Sequence, residues 1–213
     1  MKLNAEKNKI FVVNYSQNYQ FNPRMAIPGS SKPLETVETT KLVGVTLSSN
    51  LKFHRHVKEL VKKANKKVWM LRRLKDFGVR EEDLLDIYIV QIRSGLEYCV
   101  PAWNSSLTDE DTQKLERVQK TAMKILHGEK YSDYKTSLES CQLKSLEERR
   151  IDLCRTFALK CTQSKEHKDL FKINTNPNLH YPTKYEVPFC RHERYRNSPI
   201  PYLTDLLNQV ENN

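Results

Sequence analysis

Glycine is scarce in this 213-residue chain, with only five present. That count disfavours a glycine-rich nucleotide-binding fold, and no phosphate-binding Gly-rich loop can be found. There is no Gly-x-Ser-x-Gly elbow, and Ser and His are scattered, so no nucleophile–base pair is readable. Long apolar runs are missing too. None approaches the roughly 20 residues needed to span a bilayer, and the polar opening MKLNAEKNKI lacks the apolar core of a secretory signal. Cysteine is sparse and odd in number: Cys99, Cys141, Cys154, Cys161 and Cys190. They read as reduced, intracellular and structural. Cys190-Arg191-His192 is the one close Cys/His pair, short of the four ligands of structural zinc. The expectation is no metal and no cofactor.

What the chain does have is positive charge, +10 net with a pI near 9.3. A polyanionic partner follows, nucleic acid or an anionic surface. The charge concentrates between Phe53 and Phe77. There Phe53, Val57, Leu60, Val61, Ala64, Val68 and Leu71 recur at three- and four-residue steps, the period of one helix face. Lys58, Lys62, Lys66 and Arg73 fall on the other side, with Lys63 at its margin. No Gly or Pro interrupts the run, which predicts a helix about 35 Å long. Taken alone, such a lysine face is a solvated one. Trp69 lies among these lysines. It is placed to stack on a base or sugar, or to cover a neighbouring element, which is the commoner use of such a residue.

Before this helix the pattern is of strands. Asn8–Tyr15 is a β-branched apolar run. Leu34–Glu38 is a second short one, and Lys41–Ser48 (KLVGVTLS) a third, with Gly44 inside it as a bulge or a point of close approach. The fifty residues make a small antiparallel sheet, too small to stand alone. After Gly78, a second helix starts at Glu81 and is ended by Pro101. A third starts at Thr108, with Arg117, Lys120 and Lys124 on its far side, and stops at Gly128. Tyr134–Ser140 is a short helix, and Ser145 with Glu148 is a capping box for another. The latter buries Leu146, Leu153, Cys154, Phe157, Ala158 and Cys161, and Arg150 in their midst, which requires a partner; Glu97 is the nearest candidate. From Asn174 the chain turns irregular, with a last helix over Tyr202–Val210. The fold class is α+β, mainly α, divided as 1–50 (sheet), 51–173 (helical bundle) and 174–213 (extension).

Four stretches, in order, carry a resemblance: MKLNAEKNKIFVVNYS, KLVGVTLSSNLKFHRHV, LEYCVPAWNSSL with LERVQKTAMKIL, and LEERRIDLCRTFALKC with CRHERYRNSPIPYLTDLLN. Together they resemble the C-terminal end, late palm plus thumb, of a non-LTR (LINE-type, jockey-like) retrotransposon reverse transcriptase. The resemblance implies a sheet remnant followed by a thumb-like bundle. It implies a primer grip at Leu42, Val43 and Gly44, where a missing Cβ lets backbone approach the primer. It also implies backbone contacts to RNA and DNA, as hybrid or duplex, from Lys58, Lys62, Lys66, Arg73, Arg117, Lys120 and Lys124, with no membrane partner. The catalytic domains would lie upstream in a longer product. The departure from the family is chemical. Its paired metal-holding aspartates, in a Tyr/Phe-x-Asp-Asp turn, are absent, and the acid clusters at Glu81–Asp83 and Asp109–Asp111 are helix starts. The chain is therefore not expected to be an enzyme on its own. Two alternatives stand beside this reading. One is a helical protein-interaction module. The other is a fragment related to an alkylated-DNA repair dioxygenase, whose short N-terminal segment Phe53–Phe77 resembles. For the latter, neither His192-Glu193 nor His54-Arg55-His56 supplies the spacing of an iron site.

Overall fold

The computed structural model describes residues 8–13, 23, 25–26, 33–175 and 183–210. Residues Asn14, Tyr15, Asn176, Pro177 and Pro182 of the sequence reading, and most of the loop before Pro33, lie outside them. The architecture is mainly α with a few short strands. The chain divides into two compact units, Met1–Glu59 and Leu60–Asn213, the division falling inside the first long helix.

The first unit holds two strand pairs where a single antiparallel sheet is expected. β1 (Lys9–Phe11) and β2 (Glu35–Val37) are parallel, in the register Lys9 to Glu35. β3 (Thr39–Leu42) and β4 (Val45–Ser48) form an antiparallel hairpin, in the register Leu42 to Val45. KLVGVTLS is thus the end of β3, a two-residue turn and all of β4, not one strand. Val43 (φ 46°) and Gly44 (φ 83°) are the two turn residues. Positive φ at both positions is what a two-residue type I′ hairpin demands. Glycine takes it freely, but β-branched Val43 is strained there, which is why the sequence shows no turn signal.

This hairpin is fixed to the start of α1 (His54–Asp76). Val45, Phe53 and Val57 are buried, with Thr46 and His56 among them. The Thr46 amide donates to His56 Nδ1 (3.2 Å), and Thr46 Oγ1 donates to Glu59 Oε2 (3.0 Å). Lys41 Nζ reaches the same carboxylate oxygen at 3.0 Å. The hydrogen bond from Lys41 is the main cause holding the Glu59 carboxyl below its ordinary range; Thr46 adds to it and partial burial opposes it.

The second unit is helical. Ala64, Val68 and Leu71 of α1 are buried as the period predicts, while Leu60 and Val61 are half-buried at the edge of the stripe. Gly78 (φ 79°) follows α1 in the left-handed conformation of a helix stop. α2 (Glu81–Ile87) runs on through a π-helical turn, Tyr88–Arg93, into α3 (Ser94–Glu97). Pro101 does not end this segment. The helix stops at Glu97, the chain reverses at Cys99 (φ 56°), and Pro101 lies in the first turn of α4 (Val100–Trp103). A missing N–H is harmless there. Trp103 is fully buried, its indole N–H donating to the Tyr98 carbonyl at 3.0 Å.

α5 (Asp109–His127) begins as expected, with Thr108 Oγ1 accepting from the Asp111 amide. Leu115, Val118, Ala122, Ile125 and Leu126 are buried, and so is Gln119. Gln119 Oε1 accepts from the Tyr88 hydroxyl, while its Nε2 donates to Tyr134 Oη (2.9 Å) and the Lys144 carbonyl (3.0 Å). The Tyr134 hydroxyl in turn donates to Glu116 Oε1. Both phenols are pushed up, first of all by burial. The network is satisfied up to its end, where Glu116 Oε2 is buried without a hydrogen-bond partner, and it ties together the helices around it.

α6 (Tyr134–Ser140) and α7 (Leu146–Gln163) follow, the latter opened by the complete Ser145/Glu148 capping box. Cys154, Ala158 and Cys161 are buried on α7, but Phe157 is 44 % exposed, at the edge of the stripe and not within it. Arg150 is buried as expected, but Glu97 is not its partner. Its Nε donates to Asn104 Oδ1 (2.9 Å), while Glu97 is taken by Arg149 (3.0 Å) and Arg93 (3.5 Å). Burial lowers the Arg150 pKa, opposed by the nearby Glu116 charge. After α8 (Glu193–Arg196), α9 (Pro199–Val210) packs against α7 and α4. It starts three residues earlier than Tyr202, with Pro199 and Pro201 in its first turn, where proline fits. Asn208 of α9 holds the backbone of Tyr185 from both sides, at 3.0 Å each.

Candidate nucleic-acid interface

α1 carries nine Lys and Arg against two acids, seven of the ten net charges of the chain. Its 23 residues contain no helix breaker, so the charges are laid out at a fixed rise along about 35 Å. Lys62, Lys63 and Lys66 are exposed, and Lys58 is exposed on the turn of α1 that belongs to the first unit. None of these four ammonium groups has a hydrogen-bond acceptor or a carboxylate among the described residues. Arg73 is less free. It lies 3.7 Å from Asp76 and stacks over the Phe77 ring at 5.5 Å. Lys67 donates to the Gln91 carbonyl and Lys75 to the Leu126 carbonyl, so those two cations belong to the fold.

Trp69 sits within the cationic row, one turn beyond Lys66 and one turn before Arg73. The packing expectation fails for it among the described residues. It is 62 % exposed, and Met70 beside it 58 %. The face is thus a strip of free ammonium groups with an open indole inside it. Lysine supplies charge to a phosphate backbone without reading sequence, and an exposed indole offers a plane on which any base can stack.

The other predicted contacts fare differently. Arg117, Lys120 and Lys124 of α5 are exposed, but Lys120 Nζ lies over the Tyr134 ring at 5.1 Å and Lys124 Nζ over the Tyr131 ring at 5.5 Å. Arg117 and Lys120 line a cleft of about 330 Å³ together with Glu116 and Glu147, so cations and acids alternate there. Leu42, Val43 and Gly44 form the exposed tip of the β3–β4 hairpin, in the first unit; Val43 is 74 % exposed. The structure therefore places Lys62, Lys66 and Arg73 with Trp69 on one face of α1, while Lys120 and Lys124 of α5 lie over tyrosine rings.

Among the described residues no helix is long and apolar enough to cross a membrane, and no three His, Cys, Asp or Glu side chains converge to hold a metal ion. Comparison with known proteins finds no matching family model, no matching curated protein and no matching solved structure.

Proposed function

We propose that this chain binds the backbone of nucleic acid through the cationic face of α1, as a non-catalytic, thumb-like part of a reverse transcriptase of the non-LTR type. The observation that carries the binding is the row of ammonium groups at Lys62, Lys63 and Lys66 in the second unit, which have no hydrogen-bond or ion-pair partner among the described residues. A solvated lysine face placed only for solubility is usually interspersed with acids four residues away. Here Glu59 is the only acid before Asp76, and it is spent on Lys41 and Thr46. The link to reverse transcriptases rests on the four sequence stretches and their order, and the absence of paired aspartates makes the chain non-catalytic alone.

Fluorescence anisotropy titrations against an RNA–DNA hybrid and a DNA duplex, at several salt concentrations, test this reading. Each phosphate contact contributes a slope of roughly −0.9 to log K against log salt on B-form duplex. The double substitution Lys62→Gln, Lys66→Gln is expected to weaken binding to every sequence alike and to flatten the slope by about two. An unchanged slope removes α1 from the interface. A second reading, a protein-interaction module, is favoured by the exposure of Trp69, Met70, Phe77 and Val90. It predicts weak nucleic-acid binding that the double substitution does not alter.

A further inference from the structure

Three elements of the second unit bring together a cluster that the nucleic-acid reading does not use. Glu81 opens α2, His127 closes α5, and Cys141 follows α6. With Lys130, Ser132 and Thr136 they line a cleft of about 490 Å³, a size that admits a small molecule. His127 Nδ1 lies 2.7 Å from Glu81 Oε1, and His127 Nε2 lies 3.6 Å from Cys141 Sγ. The carboxylate accepts Nδ1–H, so the lone pair of the neutral ring sits on Nε2, facing the thiol. Ser140 Oγ is also 3.5 Å from Nε2, but its hydrogen goes to the Ser137 carbonyl at 3.0 Å. The thiol is left as the natural donor to His127. Nucleophile, base and an acid that orients the base are in place.

The surroundings decide which chemistry this cluster can support. Acyl transfer requires amide donors aimed at a developing oxyanion. The amides of Cys141, Gln142 and Leu143 are all spent, on the carbonyls of Ser137, Glu139 and Leu138. Cys141 also stands at the C-terminal end of a helix, where carbonyls and not N–H groups are free. Thiol–disulfide exchange needs no such donors, because its charge stays on sulfur.

We infer that Cys141 is a modification site for low-molecular-weight disulfides, with His127 as its base and Glu81 as the residue that positions the base. The Cys141 sulfur attacks one sulfur of the disulfide while its proton passes to His127 Nε2. A mixed disulfide forms at Cys141, and the departing thiolate recovers the proton from His127. The small disulfide is the oxidant, and one of its halves leaves as a thiol. Burial raises the Cys141 thiol, so little thiolate is present in advance and the base must take the proton during attack. The other thiols lack this arrangement. Cys154 and Cys161 are buried, Cys154 being pushed up to about 12, and Cys190 donates to the Pro188 carbonyl. Cys99 is exposed, with no base in hydrogen-bond reach among the described residues.

The test treats the native full chain with 2-hydroxyethyl disulfide and follows each cysteine by peptide mass mapping. Cys141 is expected to react faster than the more exposed Cys99. His127→Gln should slow Cys141 by about tenfold or more, at the low end of or below what a general base contributes, and leave Cys99 unchanged. Glu81→Gln, which keeps an acceptor on Nδ1–H, should slow Cys141 by less. Should His127→Gln loosen the fold, the buried Cys154 and Cys161 will react as well, and Glu81→Gln then decides. Cys141 reacting more slowly than Cys99, or at a rate that Glu81→Gln leaves unchanged, overturns the inference.

Discussion

α1 and α5 are both long amphipathic helices with lysines opposite an apolar stripe, yet they use their charges differently. The ammonium groups of Lys62, Lys63 and Lys66 on α1 meet no acceptor among the described residues, and the indole among them is open. On α5 Lys120 and Lys124 lie over the tyrosines that follow the helix, and buried Gln119 joins α5 to the π-helical turn after α2 and to the loop before α7. One helix has a side given to solvent or to a ligand; the other is spent on the fold. Charge spacing alone does not separate the two cases. What separates them is whether aromatic and acidic side chains from other elements reach the charges.

The sharpest way to break this contrast is through stability. Leu126→Ala empties a fully buried site on α5 and should cost about 2–5 kcal/mol in urea unfolding. Met70→Ala, on the open side of α1, should stay within about 0.5 kcal/mol. Comparable losses at the two sites would show that the exposed side of α1 is covered in solution. A smaller effect is expected from Lys120→Gln with Lys124→Gln. Each substitution removes a ring contact worth about 0.5–1 kcal/mol at an exposed site, lowering the melting temperature slightly. The salt slope of nucleic-acid binding should not move, and a slope flattened by about two would return α5 to the interface.

The smallest effect concerns the one acid in the first turns of α1. The Glu59 carboxyl is lowered in the folded chain, so its contribution to stability is present above the ordinary carboxylate value and fades as pH falls through the lowered one. Protection factors of the β3 and β4 amides, taken against intrinsic exchange at each pH, should therefore fall on acidification, while those in α5 change less. Glu59→Gln should remove that difference, and a hairpin whose pH response survives the substitution is held by something else.

Much of the helical part was legible in the chain itself. The stripe of α1, the Thr108 and Ser145 caps and the stop at Gly78 are short-range patterns, set by a 3.6-residue period and by the unpaired amides and carbonyls at helix ends. The strand region was less so. Val43-Gly44 carries no Asn-Gly or Asp-Gly turn signal, and only the pairing of Leu42 with Val45 shows the hairpin. The parallel pairing of β1 with β2 joins residues 26 apart and leaves no local trace.

The candidate sites divide in the same way. Position on a helix fixed the cationic row of α1, because side chains three and four residues apart share a face whatever packs behind them. Which cations are free depended on Tyr131, Tyr134 and Glu147 arriving from other elements. Arg150 was marked as buried by its place in the apolar stripe, but the choice of Asn104 over Glu97 was made by the bend at Cys99, which hands Glu97 to Arg149 and Arg93 instead. The meeting of Glu81, His127 and Cys141 comes from three separate elements with no common spacing. Sequence sets what each turn of helix presents; only the packed fold decides which of those groups meet, since contact depends on distances that periodicity does not encode.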